Sequence, residues 1–280
     1  MQTWESAVRT LLADPAQRQV VLDCYYDQPV SAAALRYCSS EEWAAVKPMI
    51  PEGVRTAVDI GAGQGVSSAA LALAGIQVTA VEPDPSALVG RRAIEGLAQA
   101  LQLPIHAMEG TAEAIPAADC AFDFALARQV LHHARDLTAA CREIFRVLRP
   151  GGTFLAIRDH VVSHHADRPK FFAAHPLHRF YGGENAYRED EYLDAMRVAG
   201  FGLVRVLRSF DSVVNFAPHS RAPLRGALVD RVRRVPLAAP ALGALLRSDA
   251  AYDALLEMMS RFDRRPGRLM SVLCRKPGLA

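Results

Sequence analysis

Apolar and polar positions along this chain follow two rhythms. Short β-type runs recur at Ala57-Val58-Asp59-Ile60, Val78-Thr79-Ala80-Val81, Phe122-Asp123-Phe124-Ala125-Leu126-Ala127 and Thr153-Phe154-Leu155-Ala156-Ile157. Between them lie stretches of helical spacing. Residues 66–74 form one that closes at Gly75, and Asp136 caps another whose apolar face is Leu137, Cys141, Ile144, Phe145 and Leu148. Strands alternating with helices predict an α/β fold. Ahead of this core, residues 4–47 carry helical periodicity in pieces, broken at Asp14-Pro15 and Gln28-Pro29. After it, residues 189–199 read as a helix ending at Gly200 and residues 201–207 as a strand. Residues 208–266 are mostly helical, and residues 268–274 alternate as a last strand.

The first strand runs into Gly61-Ala62-Gly63-Gln64-Gly65, and a helix follows. An apolar strand, a glycine-rich turn and a helix form the front of a nucleotide-binding unit. Glycine lets the backbone turn sharply and approach a ligand with no Cβ in the way, and the helix behind presents free N–H groups. The second strand ends in Glu82, placed to accept both hydroxyls of a ribose. A dehydrogenase fingerprint counted from Gly61 requires a small residue at position 66, where Val66 stands. That disfavours an NAD(P)-dependent oxidoreductase.

VDIGAGQG, VTAVEPD, GTAEAIP, FDFALARQVLHH and LRPGG occur in this order between about residues 54 and 160. In this the chain resembles the class I S-adenosylmethionine (SAM)-dependent methyltransferases of the type 11 group. The resemblance implies a Rossmann-like, seven-stranded, mostly parallel sheet with an antiparallel last strand. It also implies N-terminal helices and helical insertions after strands five and six. Residues 1–52 then form a helical lid, 53–160 the SAM-binding core, 161–187 an acceptor-side insertion, 188–207 the core continued, 208–266 the helical insertion, and 267–280 the last strand and tail. For the cofactor the resemblance points to Asp59, Gly61, Ala62, Gly63, Gly65, Glu82, Pro83, Asp84, Thr111, Ala112 and Arg128. Thr111 stands where the family usually has an aspartate facing adenine, which leaves the backbone N–H of Ala112 for that contact.

Composition narrows the classes. Of 280 residues, 51% are hydrophobic and 22% charged, which suits a globular chain, and a net charge of +2 does not suggest a nucleic-acid partner. Two basic runs, residues 231–234 and 261–268, read as solvated helix faces. Five scattered cysteines without a C-x-x-C pair suit reduced thiols. The first residues lack a signal-peptide pattern, and no apolar run reaches membrane-spanning length. The expected location is the cytoplasm.

Polar side chains at the carboxyl ends of the strands are the candidates for chemistry. His132, His160 and His178 are candidate bases, since histidine removes a proton at neutral pH. Gln129, His133, Tyr181 and Asn185 are candidate acceptor contacts, and Tyr25, Tyr26 and Tyr37 could add to them from the N-terminal helices. His160 with His164, and His175 with His178, have metal-ligand spacings. No H-E-x-x-H or paired-cysteine context supports them, so no metal is expected. The implied activity is in-line methyl transfer from SAM to a small or carbohydrate-like polar acceptor, with histidine-assisted deprotonation. The alternatives are a non-catalytic SAM-binding protein and, with less support, the oxidoreductase.

Overall fold

The strongest apolar runs form the middle of one sheet in a computed structural model that describes residues 3–175, 185–232 and 246–278. Strands β1 (Thr56–Ile60), β2 (Gln77–Val81), β3 (Ile105–Met108), β4 (Phe122–Arg128) and β5 (Leu148–Val162) run parallel in the order β3-β2-β1-β4-β5. A two-residue strand, β6 (Tyr187–Arg188), pairs with the far end of β5. Beyond β5 come β7 (Gly202–Leu207) and β8 (Arg268–Arg275), with β8 antiparallel to both β5 and β7 and lying between them. The β7–β8 hairpin is thus split by the helical insertion, as the sequence pattern implies.

Alternation along β4 shows how the sheet is covered. Phe124 and Leu126 enter a cluster with Ala33 and Tyr37 of α3 (Val30–Cys38), Trp43 and Val46 of α4 (Glu41–Val46), and Ala70 and Leu71 of α5 (Val66–Leu73). Ala125 and Ala127 face the other way. There they meet Cys141 and Ile144 of α7 (Leu137–Val147) and Tyr192 and Met196 of α9 (Glu189–Val198). Side chains such as Leu71 and Leu126, 0% exposed, contribute roughly 1.5–3 kcal/mol each by leaving water. The N-terminal helices therefore help build one of the two core faces. Ahead of them, α1 (Trp4–Ala13) and α2 (Arg18–Asp23) pack through Val8, Leu11 and Val21 on Val89, which precedes α6 (Arg91–Leu101).

Capping follows the sequence signals. Asp136 accepts the N–H of Ala139 at 2.9 Å and opens α7. Pro15 ends α1 at Ala13, and Gly75 follows the end of α5 with φ +88°. One boundary differs from the pattern. The polar triplet Arg158-Asp159-His160 reads as the end of the fifth strand, yet β5 continues to Val162. Arg158 takes φ +63°, and the register against β8 shifts between Ala156 and Asp159, as in a β-bulge. The bulge lets a strand carry polar residues through a buried position, because each finds a partner there.

The insertions contain α8 (Arg168–Ala174), α10 (Val213–Phe216), α11 (Arg221–Val232) and α12 (Asp249–Phe262). Among the described residues no helix is long and apolar enough to cross a membrane. His178 and Tyr181 lie outside the described residues.

Candidate functional site

A cavity of about 870 Å³ opens beyond the carboxyl ends of β1, β2 and β4, where open α/β sheets bind their ligands. Gly61 and Gly63 form its floor, and Glu82, Pro83 and Asp84 one side. Thr111 and Ala112 close a second side, and Gln129, His133 and Asn185 a third. The structure thus brings together, around one cavity, most of the positions that the sequence assigns to cofactor and acceptor.

Two observations suit SAM. Gly63 has φ +58°, and an added Cβ would meet nothing nearer than the Val89 carbonyl oxygen at 4.0 Å, so its bare backbone edge faces open cavity. Glu82 stands beside it, 8% exposed. Its Oε2 accepts the Gly63 N–H at 2.8 Å and its Oε1 the Asp84 N–H at 3.0 Å. Among the described residues no cationic side chain pairs with it. Burial pushes its pKa up to about 7, the carboxylates of Asp84 and Asp59 add to the rise, and the two backbone N–H groups oppose it. An acid held this way is ready for neutral donors such as ribose hydroxyls.

Three other assigned residues sit behind the turn. Asp59 is 1% exposed, and its Oδ2 accepts the hydroxyls of Ser67 at 2.8 Å and Ser68 at 2.6 Å. Burial raises its pKa to about 6 despite those bonds, and Oδ1 has no partner. The acid thus ties the end of β1 to the first turn of α5. Ala62 donates to the Val81 carbonyl at 3.2 Å, which fastens the turn to β2. Gly65, at φ +88°, leaves room for Ile94 and Leu97 of α6, each 3.3 Å from where its Cβ would stand.

Arg128 requires a correction. It does not line the cavity. Its guanidinium forms a two-pronged pair with Glu42, at 2.7 and 3.1 Å, and lies over the rings of Tyr25 and Tyr37. Arg158 approaches the same carboxylate at 3.7 Å and donates to the Val214 carbonyl at 2.7 Å. Glu42 is 2% exposed, and although burial alone would raise its pKa, the two arginines hold it below the usual carboxylate value. Tyr25 and Tyr37 belong to this buried cluster and Tyr26 packs on Val8 and Val89, so none of the three tyrosines lines the cavity. The N-terminal segment contributes Trp4 instead.

The histidine pair is divided. His133 lines the cavity, whereas His132 is 2% exposed beneath it. His132 Nδ1 lies 3.0 Å from Asp159 Oδ1, which also accepts its backbone N–H at 3.2 Å. The two imidazoles are 4.2 Å apart between ring centres, and His160 is 4.8 Å from His132 on the other side. His160 Nδ1 donates to the Gly267 carbonyl at 2.9 Å. Neither His132 nor His160 reaches the cavity. Asn185 closes this region by donating its backbone N–H to the His132 carbonyl at 2.9 Å and its amide to Ala134 at 3.1 Å.

Sequence reasoning passed over Trp4, Val89, Val130 and Asp159. Trp4 meets His133 edge-on at 6.2 Å between ring centres, which aligns a stacking wall with a histidine. A tryptophan at a helix start reads as packing, and no separate signal marks it. Asp159 stands inside the quoted Arg158-Asp159-His160 triplet, and its role needed the contact with His132.

Residues 58–156 match the methyltransferase domain family. The chain is 35% identical over 111 residues to a ubiquinone biosynthesis O-methyltransferase of Methylobacterium sp., covering 39% of this chain and 43% of that one. It is 32% identical over 163 residues to the O-methyltransferase resE of Aspergillus sclerotiorum, covering 58% and 59%. The matched stretches thus span about two-fifths to three-fifths of those relatives. Among solved structures, the [4+2]-cyclase SpnF superposes with a TM-score of 0.57 at 21% identity, over 89% of this chain and 82% of that one. This last likeness is one of fold. With the motifs in order, the sheet in its order and the cleft at its carboxyl end, residues 58–156 carry a methyltransferase domain with the fold of the class I SAM-dependent enzymes.

Proposed function

We propose that the protein transfers a methyl group from SAM to a small polar acceptor that enters the cleft between Trp4, His133 and Asn185. The observation that carries this reading is Glu82, buried and without a cation among the described residues, beside the bare edge of Gly63 in a cavity of about 870 Å³. That volume lies within the range of small-molecule sites, about 300–1,000 Å³. SAM supplies a methyl carbon made electrophilic by its sulfonium. The chain's own task is to hold the acceptor in line and keep water out, an effect of about 7–11 kcal/mol in favourable cases.

For an oxygen acceptor, a proton leaves as the bond forms. His133 is the histidine on the cavity wall, placed to take that proton, and its ring lies against that of His132, which Asp159 holds from beneath. Trp4 and Val130 give the acceptor an apolar wall, so a hydroxylated ring suits the cleft. Cytoplasmic action is part of this proposal.

A fold shared with a cyclase keeps a second reading in play, in which SAM is bound and no acceptor is methylated. Transfer of labelled methyl from SAM into a fractionated small-molecule extract separates the two. The proposal expects a labelled product, and loss of at least about a hundredfold in its rate with His133→Gln. SAM binding with no labelled product in any fraction would support the second reading.

A further inference from the structure

The second basic run of the sequence does not lie on a plain solvated face. Residues from the second run, Arg261, Arg264 and Arg268, line a groove of about 1330 Å³ beside the edge strand β7, bounded by α9, α12, the start of β8 and residues 162–164. Eight arginines and five carboxylates face it. Half of those arginines are matched: Arg188 by Asp190, Arg197 by Asp194, Arg208 by Glu189 and Arg221 by Asp253.

Arg205, Arg261, Arg264 and Arg268 have no carboxylate partner among the described residues. Arg264 donates to the carbonyls of Arg261 and Asp263, at 3.2 and 3.1 Å, and Arg268 to the Ser163 hydroxyl at 3.0 Å. These contacts orient the guanidiniums without pairing either of them directly with a carboxylate. Arg268 is half-buried at the start of β8, where burial works against its charge, Asp263 and Glu189 support it from a distance, and Arg264 and Arg208 oppose it. The sequence outside the described residues holds one further acidic side chain, Glu184, and three more arginines, Arg179, Arg233 and Arg234.

Four guanidiniums with no direct carboxylate partner among the described residues, in a groove where arginines outnumber carboxylates eight to five, match the planar, two-pronged recognition of phosphate oxygens. A lysine-like solvated face would spread its charges and keep them in water. We infer that this groove binds a soluble phosphate-bearing small molecule, with Arg264 and Arg268 as its principal contacts and Arg205 and Arg261 at its rim. The groove shares no lining residue with the cofactor cleft, so it is a second site.

Calorimetric titration of the whole chain with sodium pyrophosphate at low ionic strength, against sodium chloride of matched ionic strength, tests this. The inference expects saturable one-to-one binding, weakened at least tenfold in Arg264→Gln/Arg268→Gln, with an unfolding midpoint close to that of the wild type. Should that pair of substitutions disturb the fold, Arg205→Gln/Arg261→Gln changes two exposed side chains and is expected to weaken binding by severalfold. Co-sedimentation with phosphatidylglycerol vesicles and no saturable pyrophosphate binding would overturn the soluble ligand. Pyrophosphate binding of wild-type strength in both double variants would overturn the site. Neither readout uses SAM, so failure here leaves the methyl-transfer reading untouched.

Discussion

Two buried glutamates, Glu42 and Glu82, occupy opposite electrostatic situations. Glu42 is enclosed by Arg128 and Arg158, and they hold its pKa low. Glu82 is nearly as buried, meets only backbone N–H groups, and has its pKa pushed up to about 7. A carboxylate compensated inside the protein is part of the scaffold. One left uncompensated at the wall of a cavity is available to a ligand. Arg128, assigned to the cofactor by resemblance, belongs to the first kind of site.

The largest expected effect lies on the Glu42 side. Glu42→Gln leaves two buried guanidiniums facing a neutral amide. Breaking such a buried pair costs about 3–5 kcal/mol, read as a lower denaturant midpoint. Adding Arg128→Met should recover part of that loss, since one unmatched charge is then removed. SAM affinity of the folded single variant should stay within about threefold of wild type, because Arg128 lies off the cleft. A hundredfold loss of affinity there would erase the distinction between the two glutamates.

Next comes Glu82→Ala, which removes the acceptor proposed for two ribose hydroxyls. At about 1.5–3 kcal/mol for each charge-assisted bond, affinity for SAM should fall by about a hundredfold or more. Gel filtration and circular dichroism should match the wild type. Asn185→Ala should act more mildly. It frees the turn that carries His133, so turnover should drop about tenfold while SAM affinity changes little.

The smallest effect is a pH dependence with a definite sign. In the free protein Glu82 has a pKa of about 7, above the 4.5 of an unperturbed glutamate. The native state therefore binds more protons than the unfolded chain between these values. Glu82's contribution to stability is present below pH 4.5 and declines as pH rises through about 7. Wild-type stability relative to Glu82→Gln should accordingly fall over that window in denaturant titrations. A flat difference between the two proteins would mean that burial does not govern this acid.

Much of the core was legible because its signals are local. The strand runs, the glycine turn and the Asp136 cap each follow from neighbouring residues, whereas the antiparallel last strand beyond a helical insertion followed from the resemblance. What stayed hidden depends on distant partners. Arg128 meets Glu42 across 86 positions of sequence, and two of the tyrosines placed near an acceptor, Tyr25 and Tyr37, serve that same ion cluster. The continuation of β5 depended on a bulge at Arg158, which a polar triplet does not announce. His132 and His133 are adjacent in sequence, yet only the turn held by Asp159 and Asn185 decides which one faces the cavity.

The central claim is that Glu82 is kept uncompensated for a ribose in this cleft. It is tested most directly by calorimetric titration of SAM at pH 7 in two buffers of different ionisation enthalpy, with NAD as the control ligand. Binding of the hydroxyls requires the carboxylate ionised. From a free-state pKa of about 7, SAM should bind with release of about half a proton, and NAD should give no heat. Buffer-independent heat with SAM, proton uptake, or equal binding of NAD would contradict the account.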